Sequence, residues 1–68
     1  MEKDWKLAYI YDAEYKAELA KEKLLEQNIP SVIMNKRDTS YQSFGDVELY
    51  VKEENVDKAK DILNNLEI

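Results

Sequence analysis

Few residues of this chain belong to the types that perform chemistry. The sequence contains no cysteine and no histidine. Zinc sites, iron–sulfur sites and thiol chemistry therefore lose their usual ligands, and the commonest general base of enzymes is missing as well. We expect this protein to hold neither a metal nor a cofactor.

Carboxylates, hydroxyls and one glycine are the remaining groups that could take part in catalysis or bind phosphate. Glu53 and Glu54 are adjacent at the start of a predicted helix, where negative charge interacts favourably with the helix dipole, so capping is a more common role for them than acid–base catalysis. Ser40 and Ser43 have no histidine to activate them as nucleophiles. Gly45 is the single glycine, which is too few for a glycine-rich phosphate loop. The sequence predicts that the protein is not an enzyme.

The length and net charge of the chain further restrict its domain number and its partners. A chain of 68 residues has room for one core, so we expect a single domain over residues 1–68. Ten basic and fifteen acidic residues give a net charge of −5, which argues against nucleic acid and against an anionic membrane surface as partners. The charged first residues and the lack of a long apolar run predict no signal peptide, no membrane span and a cytoplasmic location.

The pattern of apolar residues predicts the order strand, helix, strand, strand, helix. The first strand covers residues 5–11 and divides by strict alternation into two sets. One set is Trp5, Leu7, Tyr9 and Tyr11, and the other is Lys6, Ala8 and Ile10. Both sets contain apolar side chains, so the pattern leaves open which of them packs on the helices.

The first helix is predicted to cover residues 13 to about 27, with Asp12 as its N-cap and Pro30 beyond its end. Its buried stripe consists of Ala13, Ala17, Ala20 and Leu24. Tyr15 and Leu19 lie on another face, either as an ordinary exposed pair or as part of an interface.

Two strands and a helix complete the chain. The second strand covers residues 31–34 and the third covers residues 47–51, where Val47, Leu49 and Val51 alternate with Glu48 and Tyr50. The last helix is expected to run from Glu53 to the end of the chain. Its apolar face consists of Val56, Ala59, Leu63 and Leu66, flanked by Ile62.

This order predicts an α+β, ferredoxin-like βαββα fold, with a three-stranded antiparallel sheet in the order 1-3-2 and two helices on one face. The fourth strand of such folds is missing, because the chain stops at Ile68. The outer edge of the first strand and the sheet face opposite the helices are then uncovered, which predicts a homo-oligomer. The expected interface residues are Trp5, Tyr9, Tyr11 and Tyr50.

Nearly the whole chain resembles a family of small prokaryotic proteins known as putative signal-transducing proteins, a domain family of unknown function. The resemblance rests on residues 18–26 (ELAKEKLLE), 28–30 (NIP), Asn35 and 47–51 (VELYV), with Glu53, Glu54 and Ala59. It implies a PII-like, ferredoxin-like fold. Some members follow the third strand with a Val-Pro pair or add a zinc ribbon. Here Lys52 follows Val51, and there is no cysteine for a ribbon.

The segment 35–45 between the second and third strands is too long for a tight turn. In PII proteins, the loop at a similar position reaches into partner proteins. We expect Lys36, Arg37, Tyr41 and Phe44 to contact a partner, since cations and aromatic side chains are enriched at interfaces. The alternative is a surface loop in which Phe44 only caps the core.

The sequence as a whole favours a non-catalytic regulatory or protein-interaction module. The alternative is a sensor that binds a small metabolite in a cleft between subunits. RNA-recognition domains also present aromatic side chains on an open sheet, but the acidic balance of this chain argues against that function.

Overall fold

The computed structural model describes residues 4–35 and 47–66. These ranges contain the strands β1 (Trp5–Tyr11), β2 (Ser31–Asn35) and β3 (Val47–Lys52), and the helices α1 (Glu14–Glu26) and α2 (Val56–Asn64). A 3-10 turn, Glu53–Asn55, joins β3 to α2. The predicted βαββα order is confirmed.

The three strands form one antiparallel sheet with β3 in the centre, in the order β1-β3-β2. The predicted ferredoxin-like α+β fold and the predicted strand order are therefore confirmed. Just before β1 and just after β3, the backbone N–H of Glu53 donates to the carbonyl oxygen of Asp4 at 2.7 Å. This bond continues the contact between the start of β1 and the end of β3.

The core lies between the sheet and the helices. Val47, Leu49 and Val51 are 0% exposed, so one face of β3 is completely covered. The predicted helix faces supply the other side of the core, namely Ala17, Ala20 and Leu24 of α1 with Ala59 and Leu63 of α2. Small side chains on α1 allow this helix to approach the sheet closely.

The start of α1 differs from the prediction. Ala13 occupies the N-cap position and no side chain caps the helix, so the prediction that Asp12 is the N-cap is wrong. Asp12 Oδ1 instead pairs with Lys16 Nζ at 2.9 Å, and the hydrogen bond from Lys16 lowers the pKa of Asp12. The Asp12 carboxylate therefore binds the Lys16 ammonium group and does not cap the backbone N–H groups of the first turn.

The end of α1 is a Schellman motif. Asn28 has a φ of 62°, a left-handed conformation that Asn tolerates better than most residues. The N–H of Asn28 donates to the carbonyl of Leu25, and the N–H of Ile29 donates to the carbonyl of Leu24, both at 2.9 Å. Leu24 and Ile29 are both buried, which supplies the hydrophobic contact of the motif. Asn28 therefore ends the helix two residues before Pro30.

The last helix is shorter than predicted at both ends. Residues Glu53–Asn55 form the 3-10 turn, and α2 ends at Asn64 with Asn65 as its C-cap, so the prediction that it runs from Glu53 to the end of the chain is wrong. The side-chain amide of Asn65 donates to the carbonyl oxygen of Asp61 at 2.9 Å. This bond satisfies a carbonyl of the last turn that lacks a partner within the helix.

Two adjacent leucines of α1 provide a matched test of this core. Leu24 is 0% exposed and Leu25 is 64% exposed. We expect Leu24→Ala to lower the free energy of unfolding by about 2–5 kcal/mol, because it leaves a cavity, and Leu25→Ala to change it by less than about 0.5 kcal/mol. Urea unfolding followed by circular dichroism measures both. Equal losses would contradict the described orientation of α1.

Candidate functional site

The sheet face opposite the helices is the candidate site, and we refer to it as the open face. The register places three rows of side chains on it, because directly paired residues of antiparallel strands lie on the same face. The rows are Trp5 with Lys52, Leu7 with Tyr50 and Val32, and Ile10 with Glu48 and Met34. None of the elements in the described ranges packs on this face.

A β-bulge in β1 decides which residues reach the open face. Leu7 pairs with Tyr50 and Tyr9 pairs with Leu49, so Ala8 and Tyr9 together oppose one residue of β3. The extra residue shifts the alternation by one position. The strict alternation predicted for residues 5–11 is therefore wrong beyond Leu7, and neither predicted set forms a single face.

The bulge separates the four residues predicted for the oligomer interface. Trp5 and Tyr50 lie on the open face. Tyr9 and Tyr11 pair with Leu49 and Val47, whose side chains are buried in the core, and therefore lie on the helix side of the sheet. Ile10 takes their place on the open face, where it is 45% exposed.

The middle of the open face is apolar. Leu7 and Met34 are 37% and 39% exposed, while Val32 and Tyr50 are half-buried. Tyr50 holds the centre of the middle row, and its hydroxyl donates to Glu48 Oε1 at 2.9 Å. This hydrogen bond holds the Glu48 carboxylate beside the Tyr50 ring.

One end of the open face carries the ion pair between Lys52 and Asp4. Lys52 Nζ donates to Asp4 Oδ2 at 3.0 Å and lies 5.1 Å from the centre of the Trp5 ring. A cation at this distance from an indole is attracted by the ring. The hydrogen bond from Lys52 also lowers the pKa of Asp4. The central strand therefore carries Lys52 and Glu48 on either side of Tyr50, with opposite charges.

The tyrosines on the helix side form a separate pair. The rings of Tyr9 and Tyr11 are stacked, with their centres 4.7 Å apart and their planes at 25°. Tyr11 is 8% exposed and Tyr9 is 38% exposed. Desolvation raises the pKa of Tyr11 to about 12, and the neighbouring Tyr9 adds a smaller effect in the same direction.

The side chains of the open face can bind another molecule through apolar contacts, hydrogen bonds and charge. Among residues 4–35 and 47–66, no group of three or more acidic side chains is placed to hold a metal ion. Within the same ranges, no helix has the length and apolar character needed to cross a membrane. Aromatic, aliphatic and paired charged groups are suited to binding another surface.

The predicted partner contacts Lys36, Arg37, Tyr41 and Phe44 lie outside the described residues. Sequence reasoning missed Ile10, Val32, Met34 and Lys52 as members of the open face. The alternation of β3 could have revealed Lys52, because it follows Glu48 and Tyr50 at a spacing of two. Ile10 could not be found in this way, since no glycine or proline marks the bulge.

Comparison with known proteins identifies one family. The family model described as putative prokaryotic signal transducing protein matches residues 5–67, and so confirms the resemblance found in the sequence. No curated protein and no solved structure matches the chain significantly. The family's description concerns signalling and names no enzymatic reaction.

The stacked rings of Tyr9 and Tyr11 predict that the free energy of unfolding decreases at alkaline pH. The ordinary tyrosine pKa is 10.0 and that of Tyr11 is raised to about 12, so folded Tyr11 keeps its proton at a pH where the unfolded chain loses it. The stabilising contribution is complete below pH ~10 and is lost as the pH rises towards ~12. Absorbance of tyrosinate should show a late-titrating component from Tyr11. Tyr11→Phe should remove it, whereas Tyr15→Phe, at a 62% exposed position, should leave it unchanged.

Proposed function

Because the chain belongs to the family of putative prokaryotic signal transducing proteins, we propose that it is a non-catalytic regulatory module that acts by binding another protein chain through its open face. The proposal includes a single domain over residues 1–68, a PII-like mode of action through protein contacts, and a cytoplasmic location. The absence of cysteine suits a reducing compartment.

The observation that carries this proposal is the contrast between the two faces of the sheet. On the helix side, Val47, Leu49 and Val51 are 0% exposed. On the open face, Leu7, Ile10 and Met34 are large apolar residues with 37–45% of their surface exposed. Contiguous apolar patches of this kind mark interaction sites more often than chance exposure does.

The composition of the open face supports a protein partner over nucleic acid. An RNA-binding sheet needs cations around its aromatic rings to hold the phosphates. Here Lys52 is bonded to Asp4, and the chain carries a net charge of −5. An aromatic centre surrounded by aliphatic side chains and a polar rim is the usual composition of a protein interface.

The bulge revises the interface proposed from the sequence. Trp5 and Tyr50 remain in it, and Leu7 and Ile10 replace Tyr9 and Tyr11, which lie on the other side of the sheet. The segment 35–45 stays a second proposed contact through Lys36, Arg37, Tyr41 and Phe44. Its position follows from the sequence, where it connects β2 to β3.

The alternative function, a small-metabolite sensor, predicts a different result in a thermal shift screen. A ligand at about 100 times its dissociation constant stabilises a protein by ~2.7 kcal/mol, which is ~10–20 °C in melting temperature for a domain of this size. We expect no nucleotide or metabolite of a broad panel to raise the melting temperature. A shift of several degrees with one compound would contradict the protein-binding function.

Photocrosslinking inside cells tests the protein contact directly. A benzophenone amino acid at position 34 on the open face should give protein adducts of discrete mass in the prokaryote that encodes the chain. The same amino acid at position 25 is the matched control, because Leu25 is an exposed apolar residue of α1, which packs on the other face of the sheet. Mass spectrometry identifies the adducts. Equal yields at both positions, or none at position 34, would contradict the proposal.

A further inference from the structure

We propose that two copies of this chain join their sheets along the outer edge of β2, antiparallel and with a two-fold axis at Ile33. The two three-stranded sheets then become one continuous sheet. This inference goes beyond the proposed function, because it concerns the edge of the sheet and not its open face. It follows from the direction of the backbone groups of β2, from the lack of charge on this strand and from the alternation of its side chains.

The two edges of the sheet differ in how they are protected. The β1 edge contains the bulge at Ala8 and Tyr9 and the exposed Lys6. Bulges and edge lysines are two of the features by which proteins prevent strands from pairing edge to edge. β2 is the strand at the other edge of the sheet in the described part of the chain. It pairs with β3 in unbroken register and contains no lysine, so this edge lacks both obstacles.

A backbone hydrogen bond at the end of β3 determines which groups of β2 point outward. The N–H of Glu53 donates to the carbonyl oxygen of Asp4 and so points towards β1. Backbone groups of a strand alternate between its two neighbours, so those of Leu49, four residues earlier, also point towards β1. Ile33 is the partner of Leu49 on β2, and the two residues of an antiparallel pair either bond each other or both point away. The N–H and C=O of Ile33 therefore point outward from the edge.

Ile33 is the residue on which the backbone pairing depends. Its N–H and C=O can exchange two hydrogen bonds with Ile33 of the second copy, as directly opposed residues of an antiparallel pair do. Ser31 of one copy would lie opposite Asn35 of the other, at the two ends of the strand. Asn35 already takes part in another interaction within its own chain, so the proposal does not depend on its backbone groups.

The charge of this segment favours a second copy over a different protein. Residues 27–35 form the longest run without a charged side chain in the sequence. Two copies that each carry a net charge of −5 repel one another, so they meet most easily where charge is absent. A partner of opposite charge would instead be selected by charged side chains at the contact.

The charge on the open face nearest to this edge is also remote from its own copy. Glu48 lies on β3, beside Met34 of β2. In the joined sheet, the two Glu48 positions are separated by three strand spacings, at least about 14 Å. This distance exceeds the screening length of about 8 Å at physiological salt, so the arrangement brings no pair of like charges on the open face together.

The alternation of side chains restricts the register of the two strands. Directly opposed residues of a sheet lie on the same face, so the axis must pass through a residue and not between two residues. An axis at Ile33 opposes every residue of β2 to a residue of the other β2, whereas an axis at a neighbouring position leaves part of the strand unpaired. Ile33 then meets its copy on the helix side, and Val32 of one chain meets Met34 of the other on the open face.

The short strand sets a weak affinity. Five residues at about 3.4 Å each give a junction roughly 17 Å long and one strand wide, which is well below the ~800 Å² per partner of a standard interface. We therefore expect a reversible dimer with a dissociation constant in the micromolar range or weaker.

Two proline substitutions test the edge by sedimentation equilibrium. Ile33→Pro removes an outward N–H that β2 does not use to bind β3, and proline is tolerated on edge strands in that orientation. Because both central bonds are lost, the dissociation constant should rise at least ~10-fold. Ile10→Pro is the matched control at the β1 edge, where the N–H of Ile10 points outward by the same alternation. It should stay within ~3-fold of the wild-type dissociation constant. Circular dichroism checks that both variants are folded.

Disulfide crosslinking measures the register and needs no proline variant. Positions 32 and 34 of opposite copies would form a pair without mutual backbone bonds, with Cα atoms ~4.5 Å apart, which a disulfide can span. The chain has no cysteine, so oxidation of a mixture of Val32→Cys and Met34→Cys chains joins only separate chains. The mixed 32–34 dimer should clearly exceed the share that random pairing gives. A mixture of Leu25→Cys and Met34→Cys chains should give random pairing only.

Four outcomes would overturn the inference. They are a strictly monomeric wild type at millimolar concentration, a folded Ile33→Pro variant that dimerises like the wild type, an equal loss of dimer in Ile10→Pro, and disulfides that form at random or mainly as 32–32 and 34–34 dimers. If Ile33→Pro does not fold, the disulfide products decide.

Failure of this inference and failure of the proposed function give different results. A strictly monomeric chain that still crosslinks from position 34 to a different protein would overturn the dimer and leave the proposed function intact. A dimer with the expected disulfide register, in a chain that gives no adduct with a different protein, would support the dimer and contradict the proposed function.

Discussion

The alternation of side chains along β3 is the constraint on which both the core and the candidate site depend. This strand is central, so its two neighbours are positioned by its register. Val47, Leu49 and Val51 supply the side that packs on the helices, and Glu48, Tyr50 and Lys52 supply the open face. A one-residue change in register would exchange the two sets and destroy the core. The order of charges on the open face is therefore fixed by the same packing that stabilises the fold.

The bulge in β1 changes which side chains of this edge strand lie on each face of the sheet. Without it, strict alternation from Leu7 would place Tyr9 and Tyr11 on the open face and Ile10 on the helix side. With it, Tyr11 enters the core at 8% exposure and Ile10 joins the open face, while Ala8, at 6% exposure, lies on the helix side in either case. Ala8 is small enough to sit beneath the helices at the bulge. One extra residue thus gives the open face a largely aliphatic side along β1, with Trp5 at its end.

The sequence predicts the architecture well because its strong signals are local. The bounds of β1 and the pattern Val47, Leu49, Val51 follow directly from period-two alternation, and the alanine stripe of α1 follows from helical periodicity. The helix ends were predicted less well, since Asp12 could bind either the backbone or Lys16, four residues further along, and in the structure it binds Lys16. The composition of the open face was predicted only in part, because the bulge depends on pairing between β1 and β3 and leaves no mark in the residues 5–11 themselves.

The small size of the protein determines what a partner bound at the open face would contribute to its stability. A chain of 68 residues without cysteine or histidine has neither disulfides nor the usual zinc ligands to stabilise it, and within residues 4–35 and 47–66 the core lies on one side of the sheet. A partner that binds only the folded chain stabilises it by mass action.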